Sequence, residues 1–304
     1  MLMKMSTLAG SGDGPGQVIE PAGMAVNSMG QVYVSDAALH RLQWFDRAGR
    51  LLGETGALGS DPGQMRRPGS VVVLGGLGVA VLDRENRRVL TYDFFGRRLG
   101  VAVDLGSPEL ERQLGRVDPT GLAADRGGAL FVVDAARERI LAFDFAGRFR
   151  RAIGGFGPTP GSFRGLRAVA VAPRGDLVTV EVSSARVQRL GQDGSVRATW
   201  RLPLPARSAT AGELAVAVDD SGGVAVADEA AGAVWIFRAN GALLAERHDF
   251  LRPRAVAFAP GVLGSLLVAE TAPGRVARWA VRIAVVDEIK AEPNPSLELR
   301  GRKP

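Results

Sequence analysis

The sequence contains no cysteine, which excludes disulfides, iron–sulfur clusters, thiolate zinc sites and cysteine nucleophiles together. Histidine is nearly as scarce: His40 and His248 are the only two in 304 residues, leaving little for imidazole-based zinc or general-base chemistry. Lysine is confined to Lys4, Lys290 and Lys303 among 38 cations, so arginine carries the positive charge. Long apolar runs are missing too. The longest, Val71 to Leu82, is interrupted by Gly75, Gly76 and Gly78 and is about half a bilayer span, so it reads as two strands and a turn. The opening residues, Met1-Leu2-Met3-Lys4-Met5-Ser6, lack the apolar stretch of a signal peptide. A cytoplasmic location is expected if the chain starts here, whereas the lack of cysteine suits an exported protein.

What is present is a large supply of small apolar residues. Hydrophobic residues make up 46% and charged residues 23%, which suits a folded chain with a substantial core. The length alone would suggest roughly two domains. The 40 glycines fall between short apolar runs, as in a protein built of many short strands and turns. A net charge of +6 over 304 residues is modest, and it forms no stripe of the kind a nucleic-acid surface needs.

The chain repeats itself. An acidic residue closes the second apolar run of each unit, at Asp36, Asp83, Asp134, Glu181, Asp228 and Glu270. Five residues later stand Arg41, Arg88, Arg139, Arg186, Ala233 and Arg275, and four further on come Phe45, Tyr92, Phe143, Leu190, Phe237 and Trp279. Gly49, Gly96, Gly147, Gly194 and Gly241 then follow in the first five units. Each unit reads as four short strands, beginning with a small aliphatic run such as Met24-Ala25-Val26 or Val169-Ala170-Val171. The third run, as in Arg41-Leu42-Gln43-Trp44-Phe45, is apolar on both faces and must be covered on both sides.

A four-stranded unit of this length is one propeller blade, and six of them can bury their faces only against each other. The expected fold is all-β: a six-bladed β-propeller of four-stranded antiparallel blades. Pro15-Gly16-Gln17 resembles Pro62-Gly63-Gln64 and Pro160-Gly161-Ser162, each of which follows a fourth strand. The N-terminal strand, around Met3 to Leu8, is therefore expected to complete blade six and close the ring. Residues 1–286 form this propeller, and 287–304 read as a polar C-terminal tail.

The pattern resembles the NHL repeat. Its hallmarks are Pro21-Ala22-Gly23, the run Val32-Tyr33-Val34-Ser35-Asp36, and Arg41-Leu42-Gln43-Trp44-Phe45-Asp46 followed by Gly49. The likeness spans about residues 3 to 285, closely in units one to three and more loosely afterwards. The resemblance implies a binding propeller, an RNA-binding one, or a lyase or lactonase, and an extracytoplasmic location as in bacterial relatives.

Three sets of residues are candidates for function. The acid–arginine pairs Asp36/Arg41, Asp83/Arg88, Asp134/Arg139, Glu181/Arg186 and Glu270/Arg275 recur blade by blade, so they read as structural ion pairs and not as catalytic groups. Arg66, Arg67, Arg116, Arg164, Arg167, Arg252 and Arg254, together with His40, fall in loops expected on the upper face, the usual ligand face of a propeller. The first strands, almost purely Ala, Val, Leu and Met, predict a channel without oxygen or nitrogen ligands for calcium or zinc. No cofactor, metal or catalytic set is expected. The composition and repeat point to a non-enzymatic scaffold that mediates protein–protein interaction within a larger assembly. A metal-dependent hydrolase or lyase and an RNA-binding propeller are the alternatives. Trp44, Trp235 and Trp279 should lie between blades, and Trp200 on an outer strand open to solvent.

Overall fold

A computed structural model of the chain describes residues 2–203, 212–260 and 264–281; the expected tail, 287–304, lies outside them. The described residues form six small antiparallel sheets arranged in a ring. Blade one runs Pro21–Val26, Val32–Asp36, Arg41–Phe45 and Leu51–Thr55 from the axis outward. Blade two runs Pro68–Leu74, Gly78–Asp83, Arg88–Tyr92 and Arg98–Asp104, and blade three Pro119–Ala124, Leu130–Asp134, Arg139–Phe143 and Phe149–Gly154. Blades four and five follow as Leu166–Val171, Leu177–Glu181, Arg186–Leu190, Val196–Arg201 and Leu214–Val218, Val224–Asp228, Ala233–Phe237, Leu243–Arg247. Blade six has Pro253–Phe258, Ser265–Glu270 and Arg275–Val281, and its fourth strand is the N-terminal Leu2–Ser11, paired antiparallel with Arg275–Val281. The first strands touch one another in sequence around the ring, and Pro253–Phe258 meets Pro21–Val26. The ring is closed.

The core is divided among the blade interfaces. Six apolar clusters form, each shared by two neighbouring blades. Trp44 lies between blades one and two, Trp235 between four and five, and Trp279 between five and six. Trp200, expected in solvent, instead packs half-buried against Phe237 with ring centroids 6.0 Å apart. Burying this much apolar side chain at each interface, at about 25 cal/mol per Å², makes the six sheets one cooperative unit.

The repeated glycine has two jobs. In the Asp-x-x-Gly turns joining third and fourth strands, the aspartate caps the turn: Asp46 accepts from the Ala48 and Arg50 N–H groups, each at 2.9 Å. The glycine then takes a left-handed conformation and lies against the outer strand of the preceding blade. At Gly147, with φ +75°, an added Cβ would stand 1.9 Å from the Ala102 carbonyl oxygen. One element is missing from the sequence reading: a helix, Pro108–Leu114, capped by Ser107, fills the connection from blade two to blade three. It brings Leu114 into the cluster with Val103 and Leu141, the role that Met65 and Phe163 play in loops without a helix.

Two outcomes test this. Gly147→Ala should cost about 2–4 kcal/mol, whereas Gly63→Ala, left-handed but with open space around its Cβ, should cost about 1 kcal/mol. Equal losses in urea midpoints would refute the interblade role. The Asp46 carboxyl is held below its ordinary value of 3.8, first by the Arg50 backbone N–H. A depressed carboxylate stabilises the fold above its ordinary value, and the contribution is lost as pH falls through the folded value. Asp46→Asn should therefore flatten the loss of stability on acidification below pH 3.8, read as the urea midpoint against pH.

Candidate functional site

The upper face is formed by the interblade connections and the turns between second and third strands. Its frame is the acid that ends each second strand. Asp36, Asp83, Asp134, Glu181 and Glu270 are fully buried, and each accepts the backbone N–H of its own interblade connection. Those donors are Ile19 at 2.8 Å, Arg66 at 2.7 Å, Asp118 at 3.1 Å, Arg164 at 2.8 Å and Leu251 at 2.8 Å. The arginine opening the third strand binds the same connection from the other side. Arg88 donates to the Ser60 and Gln64 carbonyls and Arg186 to those of Pro158 and Ser162. Both partners hold the loop.

Four of the acids also bind their arginine: Asp83–Arg88 at 2.8 Å, Asp134–Arg139 at 2.9 Å, Glu181–Arg186 at 2.7 Å and Glu270–Arg275 at 2.5 Å. Arg41 departs from the expected pairing. Asp36 already accepts from the N–H groups of Ile19, Glu20, Ala38 and Leu39, and Arg41 bonds to Glu54 of the outer strand at 3.0 Å. In blade five, where Ala233 replaces the arginine, the next residue after Asp228 takes over the loop: Glu229 accepts the Glu213 N–H at 3.1 Å and pairs with Arg252 at 2.5 Å.

His40 belongs to the frame as well. The residue before every third strand is left-handed, from Ala185 at φ 47° to Gly274 at φ 75°. From that position His40 reaches the next blade, where its Nδ1 accepts the Arg67 N–H at 3.0 Å. Glu138 does the same at the following interface but one, accepting from Gly165 and Leu166 at 2.8 and 2.7 Å. His248 lies just past an outer strand, edge-on to Trp235 and 3.2 Å from Glu246. The two histidines belong to different blades, one and five, and no bond joins them. No group of three or more His, Cys, Asp or Glu side chains able to hold a metal occurs among the described residues.

The loop arginines divide by environment. Arg67 pairs with Glu20 at 2.6 Å, Arg252 with Glu229, and Arg254 with Glu20 and, at 3.8 Å, Glu213. Arg66, Arg116 and Arg164 are exposed and have no carboxylate partner among the described residues; Arg164 lies over the Phe156 ring at 5.6 Å. Arg167 lines the central channel.

The channel differs from the expected inert bore. It holds a cavity of about 300 Å³ whose walls are the six first strands. Each pairs with a neighbouring strand along one edge only, so its other edge turns backbone N–H and C=O groups toward the axis; among the first-strand carbonyls, those of Gly69 and Arg167 accept from the Ser35 and Thr120 hydroxyls. Ser70, Thr120, Arg84, Arg167, Glu213 and Arg254 also line it. Arg84 and Glu213, from opposite sides of the ring, meet at 3.0 Å across the mouth. The apolar side chains of these strands pack sideways between blades, which is why their composition misrepresented the lining.

The NHL repeat family model matches residues 19–45, the stretch that contains the Asp36 frame and the Arg41 strand. The chain is an NHL-type β-propeller. No curated protein matches it by sequence. Among solved structures, a streptogramin B lyase is similar over 92% of this chain and 98% of its own, with TM-score 0.62 and 11% identity. A catalytically inactive virginiamycin B lyase from Staphylococcus aureus, solved with quinupristin, covers 91% and 84% with TM-score 0.59 and 14% identity. A gluconolactonase from Xanthomonas campestris covers 91% and 89% with TM-score 0.63 and 14% identity. At these identities the likeness is one of fold.

In this NHL-type propeller Arg84, Glu20 and Glu229 escaped the sequence reading. For Arg84 and Glu229 the one signal is departure from the repeat: the residue after the frame acid is Ala37, Ala135, Val182 or Thr271 elsewhere, but Arg84 and Glu229 in blades two and five. Removing the frame should be costly and removing the histidine mild. Asp83→Asn removes the buried charge opposite Arg88 and one of the two oxygens that accept from Arg88, Asn86 and the Arg66 N–H, with an expected loss of about 3–5 kcal/mol. His40→Ala leaves one N–H unpaired, for about 1–2 kcal/mol. Thermal or urea unfolding reads both, and the reverse order would overturn the assignment.

Proposed function

We propose that this propeller is a non-enzymatic scaffold that binds a protein partner through its upper face. The frame determines which upper-face side chains are left free. The residue whose N–H each acid captures presents its own side chain outward, and at these positions stand Ile19, Arg66, Asp118, Arg164 and Leu251. The tips of two equivalent loops add Leu58 and Phe156, 59% and 74% exposed. Exposed aliphatic and aromatic side chains interleaved with arginine are the composition of protein interfaces. The observation that carries the reading is Phe156, held open to solvent beneath the Arg164 guanidinium.

A lyase or lactonase activity, as named for the similar solved structures, would need a convergent set of side chains, and RNA binding a continuous basic track. Arg66, Arg116 and Arg164 are instead separated around the ring.

Amine cross-linkers suit this lysine-poor chain badly, so the test uses a photoreactive residue at Phe156 and, as control, at Phe145 in the third-to-fourth strand turn of the lower face. A single protein captured from cells of the source at position 156 and not at 145 is expected. With that partner purified, Phe156→Ala combined with Arg164→Ala should weaken binding at least tenfold, about 1.4 kcal/mol. Capture only at position 145, or capture of RNA in place of protein, would sink the reading.

A further inference from the structure

The channel mouth carries a charge pattern that neither the frame nor the upper-face surface requires. Three guanidinium groups, Arg84, Arg167 and Arg254, line the cavity. Arg84 is matched by Glu213, and Arg254 by Glu20 and Glu213. Arg167 has no carboxylate within bonding distance among the described residues and donates only to the neighbouring Leu166 carbonyl, at 3.2 Å. One positive charge is thus left over, on a planar donor group whose fork geometry fits a carboxylate in two parallel bonds. It lies where water is confined and the field of a charge is less screened than on the open face.

The rest of the cavity is suited to polar atoms. The free edges of the first strands offer N–H donors and C=O acceptors, and Ser70 lines the same space from blade two. The volume of about 300 Å³ corresponds to roughly ten waters, at about 30 Å³ each, and lies at the small end of ligand pockets. The matched pairs also bear on selectivity. A dianion would have to draw Arg84 or Arg254 away from Glu213 or Glu20 and leave a carboxylate uncompensated.

We infer that the channel mouth is a binding site for a small hydroxylated monocarboxylate, with the carboxylate on Arg167 and the hydroxyls on the first-strand edges. This site does not depend on the upper-face protein partner, and either can fail without the other.

The test is calorimetric titration of the full chain with quinate and glycerate. The controls are myo-inositol and glycerol, which lack the charge, and malate and inorganic phosphate, which carry more of it. The expected result is millimolar or tighter binding of quinate or glycerate, with the uncharged and dianionic probes at least tenfold weaker. Arg167→Gln should lower that affinity at least tenfold without shifting the melting temperature. Because Arg167 also borders the blade-four strand, a second variant keeps the test sound: Ser70→Leu, which fills the cavity from the far side and leaves Arg167 in place, should weaken binding as well. Binding of inositol as tight as that of quinate, tighter binding of phosphate, unaltered affinity in both variants, or no binding of either carboxylate would each overturn the proposal.

Discussion

The structure depends on one interaction: in five blades a buried carboxylate at the end of the second strand, and in blade five the Glu229 carboxylate just after it, accepts the backbone N–H of the loop bringing the chain into that blade. Burying a carboxylate is costly unless it is fully hydrogen-bonded. Here the cost is offset by charge-assisted bonds from backbone donors and, in four blades, by an arginine beside it. The arrangement links two levels of structure. The sheet fixes where the acid sits, the acid fixes where the loop crosses, and the loop fixes which side chains face outward. Without it the interblade connections would be long segments held only by their own turns.

The same logic explains how much could be read from the sequence. Strand positions, blade number and ring closure were legible because apolar spacing, the glycine after the third strand in five units and the acid–arginine spacing in five of six units agree. The partner of each side chain was less so. Arg41 and Asp36 share the spacing of the other pairs, but Glu54 lies on the adjacent outer strand and the acid is already saturated by four N–H groups. The helix Pro108–Leu114 was missed because its seven residues sit where the other connections form loops, and only Ser107-Pro108-Glu109 marks its start. Glu229 was overlooked because its neighbour Asp228 already satisfied the pattern.

Contacts across the axis were beyond any local reading. Arg84 and Glu213 are 129 positions apart, and no periodic signal connects them. The channel lining was misjudged for a related reason. Composition describes side chains, but an innermost strand faces the axis with its backbone edge, so six runs of alanine and valine enclose a polar bore. In a propeller, the lining should be judged from sheet order before residue type.

Near-sixfold repetition also separates what holds the protein up from what makes it particular. A group present in every blade, such as the frame acid, answers a need that every blade has. The exceptions have no such explanation. Phe156 is open at a loop tip where Leu58 and Ser11 occupy the equivalent positions. Arg167 is the second residue of its blade's first strand, where other blades place Ala22, Gly69, Thr120 and Ala215. Of the two blades with arginine there, Arg254 is bound by two carboxylates and Arg167 by none among the described residues. An unmatched charge at a confined polar cavity answers no need that the other blades share, which is why the proposed ligand is placed on Arg167.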